Sequence, residues 1–158
     1  MKFYLSLGSN INAEANIILA IEKLQKILDN SEYSSVHQTK AEGFEGDDFL
    51  NLVVSGDSEL SFDDLNKKLK DIEDEAGRNR DAPKFSARTL DIDIVLQVDG
   101  VTGIPKIPAQ DEVDRTRSTF GQTHFIGCLT PARRTVGMIK RELRGIKILR
   151  YLFTGLQI

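Results

Sequence analysis

A chain of 158 residues, 40% hydrophobic and 28% charged, is long enough to bury a core as one domain without disulfides or a structural metal. Its single cysteine, Cys128, excludes an intramolecular disulfide framework and a Cys/His zinc cluster. The formal net charge of −3 selects no charged partner by itself, but it is unevenly spread: residues 1–100 balance to −9 and residues 101–158 to +6.

Lys2–Leu7 alternates, with Phe3, Leu5 and Leu7 on one side, as a strand half-buried against a core does, and Gly8-Ser9-Asn10 ends it. The same polar residues cut the N-terminal apolar run too short for a signal peptide or a membrane span, so a cytoplasmic protein is expected. From Ala13 to Leu28 the apolar residues Ile17, Ala20, Ile21, Leu24, Ile27 and Leu28 keep the spacing of an amphipathic helix, with Asn12 as N-cap. A second strand is expected within Glu32–Gln38, followed by an acidic, glycine-containing loop over Thr39–Asp48. Phe49–Ser55 forms a third strand that places Phe49, Asn51 and Val53 on one side and Leu50, Leu52 and Val54 on the other.

A second helix is expected over Phe62–Ala76. Ser61 and Asp64 form its capping box, Leu65, Leu69, Ile72 and Ala76 its buried stripe, and Gly77 its C′ position. The polar, basic segment Arg78–Arg88 leads into a strand over Asp91–Val98. The order βαββαβ predicts an α+β fold, a mainly antiparallel sheet of ferredoxin-like type with helices on one side. Val101–Pro131 has no sustained periodicity, and Met138–Phe153 has the spacing of a basic amphipathic helix, either docked on the surface or touching nucleic acid or membrane.

The sharpest chemical pattern is Asp91-Ile92-Asp93. On a strand the two carboxylates share one face, which suits Mg²⁺ with its preference for hard oxygen ligands; two ordinary surface acids are the alternative. Arg78, Arg80, Lys84 and Arg88 stand just before the pair, as polyphosphate binding would require, although a salt-bridged loop would carry the same residues. No Walker loop occurs, and neither His37 nor His124 has the company of a nucleophile–base pair. Phe49 and Asn51 fit either a ligand site or a core aromatic beside a hydrogen-bonded amide.

Leu7-Gly8-Ser9-Asn10, Asp48-Phe49-Leu50-Asn51, Gly77-Arg78-Asn79-Arg80 and Phe85-Ser86-Ala87-Arg88-Thr89-Leu90-Asp91-Ile92-Asp93-Ile94, in that order, resemble the 6-hydroxymethyl-7,8-dihydropterin pyrophosphokinase family over about residues 1–96. The resemblance implies a ferredoxin-like α/β sandwich that moves the β,γ-pyrophosphoryl group of ATP onto the pterin hydroxymethyl oxygen, releasing AMP, with two Mg²⁺ ions. By position, Asp91 and Asp93 match the metal-bridging aspartates, and Arg78 and Arg88 the phosphate-contacting arginines. Asn51, Phe49 and Thr39 match the pterin pocket, while Lys70, Glu73 and Arg80 fall in the nucleotide pocket. Phe85 stands where tryptophan is common and Lys70 where glutamine is usual. Arg115 and Phe120 are candidate counterparts of an ATP-binding arginine and a pterin-stacking ring, within a tail, residues 101–158, that departs from the family pattern.

The expected protein is thus a single-domain, monomeric transferase with ATP and the pterin as its partners and no nucleic acid or membrane. A catalytically inactive ligand-binding homologue is the alternative.

Overall fold

The computed structural model describes residues 1–41, 43–83, 86–102 and 105–106. Phe85, Lys84, Arg115, Phe120, His124, Cys128 and the helix expected over Met138–Phe153 lie outside them.

Among the described residues eight elements follow in chain order: β1 (Lys2–Ser9), α1 (Ala13–Leu24), β2 (Asp29–Tyr33), β3 (His37–Thr39), β4 (Phe49–Asp57), α2 (Phe62–Glu75), β5 (Asp91–Val98) and β6 (Pro105–Lys106). The sheet runs β2-β4-β1-β5-β6, with β3 also pairing with β4, and every pairing is antiparallel. The expected α+β architecture, a mostly antiparallel sheet with two helices, is what forms.

Alternation decides the two sides of the sheet. Phe3, Leu5 and Leu7 of β1, Leu50, Leu52 and Val54 of β4, and Leu90, Ile92 and Ile94 around β5 join Ile17, Ile21, Leu24, Leu65, Leu69 and Ile72 of the helices in one buried cluster. Each such side chain contributes about 1.5–3 kcal/mol when fully buried, and together they fix the register that the other side of the sheet must obey. That other side carries Ser6, Gly8, Asn51, Val53, Asp91 and Asp93, since Gly8 is paired with Asn51 on one neighbour and Asp91 on the other, and Ser6 with Val53 and Asp93.

Several local expectations change. The helix expected to reach Leu28 stops at Leu24, because Lys26 and Ile27 donate to carbonyls only three residues back and so tighten the last turn. Leu28 remains buried beyond it, which is why the apolar spacing runs past the helix. Asn12 sits at the N-cap in the left-handed region (φ 46°) and its side chain makes no capping hydrogen bond; its carbonyl instead accepts from the Asn16 N–H. The strand expected within Glu32–Gln38 is two pieces, β2 and β3. Ser34 continues the pairing of β2, donating its N–H to the Val53 carbonyl and accepting the Val53 N–H on Oγ; the register then slips by one residue before His37 meets Asn51.

The second helix begins as expected, with Ser61 Oγ accepting from the Asp64 N–H at 3.1 Å. It ends one residue early, at Glu75. Gly77 adopts φ 78°, and the Gly77 and Arg78 N–H groups close back on the Asp74 and Glu73 carbonyls, a Schellman ending that only a residue tolerant of the left-handed region supports well. This turn sets the direction in which Arg78 leaves the helix.

Candidate functional site

The end of β1 is the keel of the site. Ser9 donates its hydroxyl to the Thr89 carbonyl. Asn10 accepts the Arg88 N–H on Oδ1 at 2.6 Å and donates through Nδ2 to the Asp47 carbonyl at 3.0 Å. The Arg88 carbonyl in turn accepts from the N–H groups of Asn10 and Ile11. Gly8 and Ser9, which the sequence marks as the end of the strand, are instead its last two residues, and Ser9 and Asn10 latch two distant segments, the one bearing Arg88 and the one before β4. Sequence reasoning saw the break but gave neither Ser9 nor Asn10 a role, because their partners lie 80 and 78 residues away.

Beside this latch lies a cleft of about 490 Å³, walled by Arg78, Arg80, Arg88, Lys70, Asp91 and Asp93 among others. Asp91 is buried, and its two oxygens are divided between Arg78, 3.1 Å from Oδ1, and Arg88, paired with Oδ2. Arg78 also donates to the Leu90 carbonyl at 3.2 Å, so it is held to the strand at two points. Asp93, one step along the same side of β5, makes no hydrogen bond or ion pair with the described residues. Burial, and then the negative charge of Asp91, push its carboxyl from 3.8 up to about 7; Glu73 adds to the rise, while Lys70 and Arg88 oppose it. The expected same-face pair is thus present, and its two members differ: Asp91 is fully engaged by cations and Asp93 faces the cleft without a partner.

A Mg²⁺ ion fits this donor set. Hard carboxylate oxygens stand on one side of one strand, and at Asp93 the positive charges of Lys70 and Arg88 do not offset burial and the charge of Asp91, a deficit that a cation in the cleft would make up. Mg²⁺ commonly takes one or two carboxylates and fills its octahedron with water and phosphate; among the described residues no cluster of three or more His, Cys, Asp or Glu is arranged to hold a metal.

Lys70 and Arg80 line the cleft on the side of α2, and Glu73 lies behind them. Glu73 is fully buried; its Oε1 accepts from the Ile92 N–H at 2.8 Å and lies 3.4 Å from Lys70 Nζ. Arg80 Nη1 approaches Oε2 at 3.3 Å, close enough for an ion pair but out of hydrogen-bond alignment, so Oε2 has no hydrogen bond. Arg80 is tied more firmly to Asp74, at 2.7 Å, and to the Lys70 carbonyl.

Thr39, Phe49 and Asn51 lie together two strands away. Thr39 and Phe49 are paired across β3 and β4, and Asn51, fully buried, donates through Nδ2 to Thr39 Oγ1 at 2.9 Å. Asn51 Oδ1 has no hydrogen-bond partner among the described residues. Phe44 meets Phe49 edge-on, ring centroids 6.3 Å apart. Because Gly8 is paired with Asn51 on one side and Asp91 on the other, the amide and the carboxylate project from the same side of the sheet about 10 Å apart. The structure thus brings the two expected subsites onto one face with a single glycine between them.

A family model described as 7,8-dihydro-6-hydroxymethylpterin-pyrophosphokinase (HPPK) matches residues 4–118, so the likeness runs past the front motifs into the tail. The chain is similar to the 2-amino-4-hydroxy-6-hydroxymethyldihydropteridine pyrophosphokinase of Aquifex aeolicus, 41% identical over 109 residues, 66% of this chain and 68% of that one. The protein of the same name from Haemophilus influenzae is 36% identical over 97 residues, 59% of this chain and 60% of its own length. The folate synthesis bifunctional protein of Chlamydia muridarum is 36% identical over 103 residues, 60% of this chain but 23% of that longer protein. Among the described residues no helix is long and apolar enough to cross a membrane.

Proposed function

The chain belongs to the 7,8-dihydro-6-hydroxymethylpterin-pyrophosphokinase family, and from that premise we propose that it is a pyrophosphokinase of folate biosynthesis, transferring the β,γ-pyrophosphoryl group of ATP to 6-hydroxymethyl-7,8-dihydropterin. The hydroxymethyl oxygen attacks the β-phosphorus, the bond from that phosphorus to the oxygen shared with the α-phosphate breaks, and AMP departs with the electron pair. The hydroxyl proton passes to solvent.

The observation that carries this reading is the pairing of Asn51 and Asp91 with one residue, Gly8. A planar substrate held at Asn51 then presents its hydroxymethyl arm toward the carboxylates, and holding two reactants in line is the larger part of phosphoryl-type catalysis. In this reading Asn51 Oδ1 accepts from the donor edge of the pterin, Thr39 fixes the amide's orientation, and Phe49 supplies apolar surface against the ring. Arg78 and Arg88 contact phosphate oxygens while remaining braced on Asp91, and Lys70 and Arg80 extend the cationic wall toward the rest of the nucleotide. Asp91 and Asp93 are the ligands for Mg²⁺, two ions in the family pattern, which when bound offset phosphate charge and acidify the attacking hydroxyl.

The finer fold assignment belongs here as well. Taking β2 and β3 as one interrupted edge strand, the core path becomes edge strand, β4, β1, β5, which supports a ferredoxin-like sandwich.

Incubation of the protein with Mg-ATP and the pterin, followed by chromatographic separation, tests the reading. Equal amounts of AMP and pterin diphosphate are expected. ADP with a pterin monophosphate, or no product at substrate concentrations shown to saturate binding, contradicts it.

A further inference from the structure

Glu73 occupies a position that direct nucleotide contact does not explain. Its side chain is fully buried, behind the cleft wall, and it joins three parts of the site at once. Its backbone carbonyl accepts the Arg78 N–H at 3.0 Å, and its Oε1 accepts the N–H of Ile92 at 2.8 Å. Ile92 is the residue between Asp91 and Asp93. The Arg78–Asp91 ion pair, at 3.1 Å, closes the ring. One residue therefore holds the start of the arginine segment by its main chain and the strand of both aspartates by its side chain.

We infer that Glu73 is a positioning residue, whose buried carboxylate fixes Asp91 and Asp93 relative to Arg78 through the Ile92 N–H, rather than a direct ligand of the nucleotide. This rests on the reading of Asp91 and Asp93 as the metal-holding pair. An unpaired N–H near the start of β5 leaves that end of the strand free to slide or pucker, and a displacement of one residue by even 1 Å carries both flanking carboxylates with it. A charged acceptor inside the fold makes a stronger anchor than a neutral one, and Lys70 Nζ and Arg80 Nη1 stand 3.4 and 3.3 Å from its oxygens.

Two variants and two readouts separate this from its rivals. Glu73→Gln keeps an oxygen acceptor for Ile92; Glu73→Leu does not. The first readout is amide exchange at Ile92 in the full chain, with Leu5 and Leu52 as core references. The second is Mn²⁺ binding, followed by electron paramagnetic resonance in the presence of a non-hydrolysable ATP analogue. Glu73→Leu should speed Ile92 exchange and weaken Mn²⁺ binding about tenfold each, with Leu5 and Leu52 unchanged. Glu73→Gln should restore both to within about threefold of the unaltered protein. Loss of analogue affinity in both variants with Ile92 exchange unchanged would overturn the inference in favour of direct nucleotide contact. If Glu73→Leu fails to fold, Glu73→Gln still decides: fast Ile92 exchange in it would contradict the anchor. Failure of the pyrophosphokinase reading would show separately, as absence of AMP formation by the unaltered chain, while Ile92 exchange would still report on the anchor.

Discussion

Replacing Asp93 with asparagine should stabilise the metal-free protein while removing its magnesium-dependent chemistry. In the folded chain the Asp93 carboxyl is pushed from 3.8 up to about 7, first by burial and then by the charge of Asp91. Between those values the folded protein holds a proton that the unfolded chain releases, so stability falls as pH rises through the window and the cost is complete above about pH 7. At about 1.36 kcal/mol per pKa unit the difference corresponds to about 4 kcal/mol, and solvent screening in the open cleft reduces it to about 2 kcal/mol. A neutral amide at this position carries no such cost. For a domain of this length the gain is a rise in Tm of roughly 4–8 °C, expected at pH 8 in EDTA and absent at pH 4 or below. Thermal unfolding of both proteins across pH 4–8 measures it. A pH-independent difference, or a variant less stable than the parent at pH 8, would refute the electrostatic account of Asp93.

Two further perturbations probe other parts of the site. Asn51→Ala removes a buried amide whose Oδ1 has no hydrogen-bond partner among the described residues and whose Nδ2 holds Thr39; calorimetry should show pterin affinity falling by about 1–2 kcal/mol with ATP-analogue affinity unchanged, and equal losses for both ligands would make Asn51 structural. Gly77→Ala meets no neighbour within 4 Å but must adopt φ 78°, so urea unfolding should show a loss of about 1 kcal/mol from backbone strain alone; no loss would mean that the Schellman turn relaxes without cost.

Much of this arrangement is legible in the sequence, for reasons that differ by residue. Period-two alternation placed Asp91 and Asp93 opposite Ile92, and Asn51 opposite Leu50 and Leu52, because a core on one side of a sheet forces every polar residue between to the other. Ser61 and Gly77 marked the second helix because capping and the left-handed turn each demand particular residue types. Periodicity failed at α1, where Leu28 stays buried beyond a last turn tightened by the three-residue hydrogen bonds of Lys26 and Ile27, and at β2 and β3, where a register slip beside Ser34 has no local sequence mark. The resemblance to the family supplied the proposed assignment of residues to substrates; nothing in spacing alone separated a metal pair from two surface acids. What neither route supplied is long-range hydrogen bonding: the grip of Asn10 on Arg88, and the reach of Glu73 to Ile92, across 19 residues, depend on the assembled fold.

The most direct test of the account is AMP formation from ATP at saturating Mg²⁺, measured for the unaltered chain and for Asp91→Asn, with and without 6-hydroxymethyl-7,8-dihydropterin. The account predicts AMP release that requires the pterin, matches pterin diphosphate one for one, and falls by about 100-fold or more in Asp91→Asn, where a charge shared by two arginines and the metal is lost. AMP release independent of the pterin, or full activity in Asp91→Asn, would contradict it.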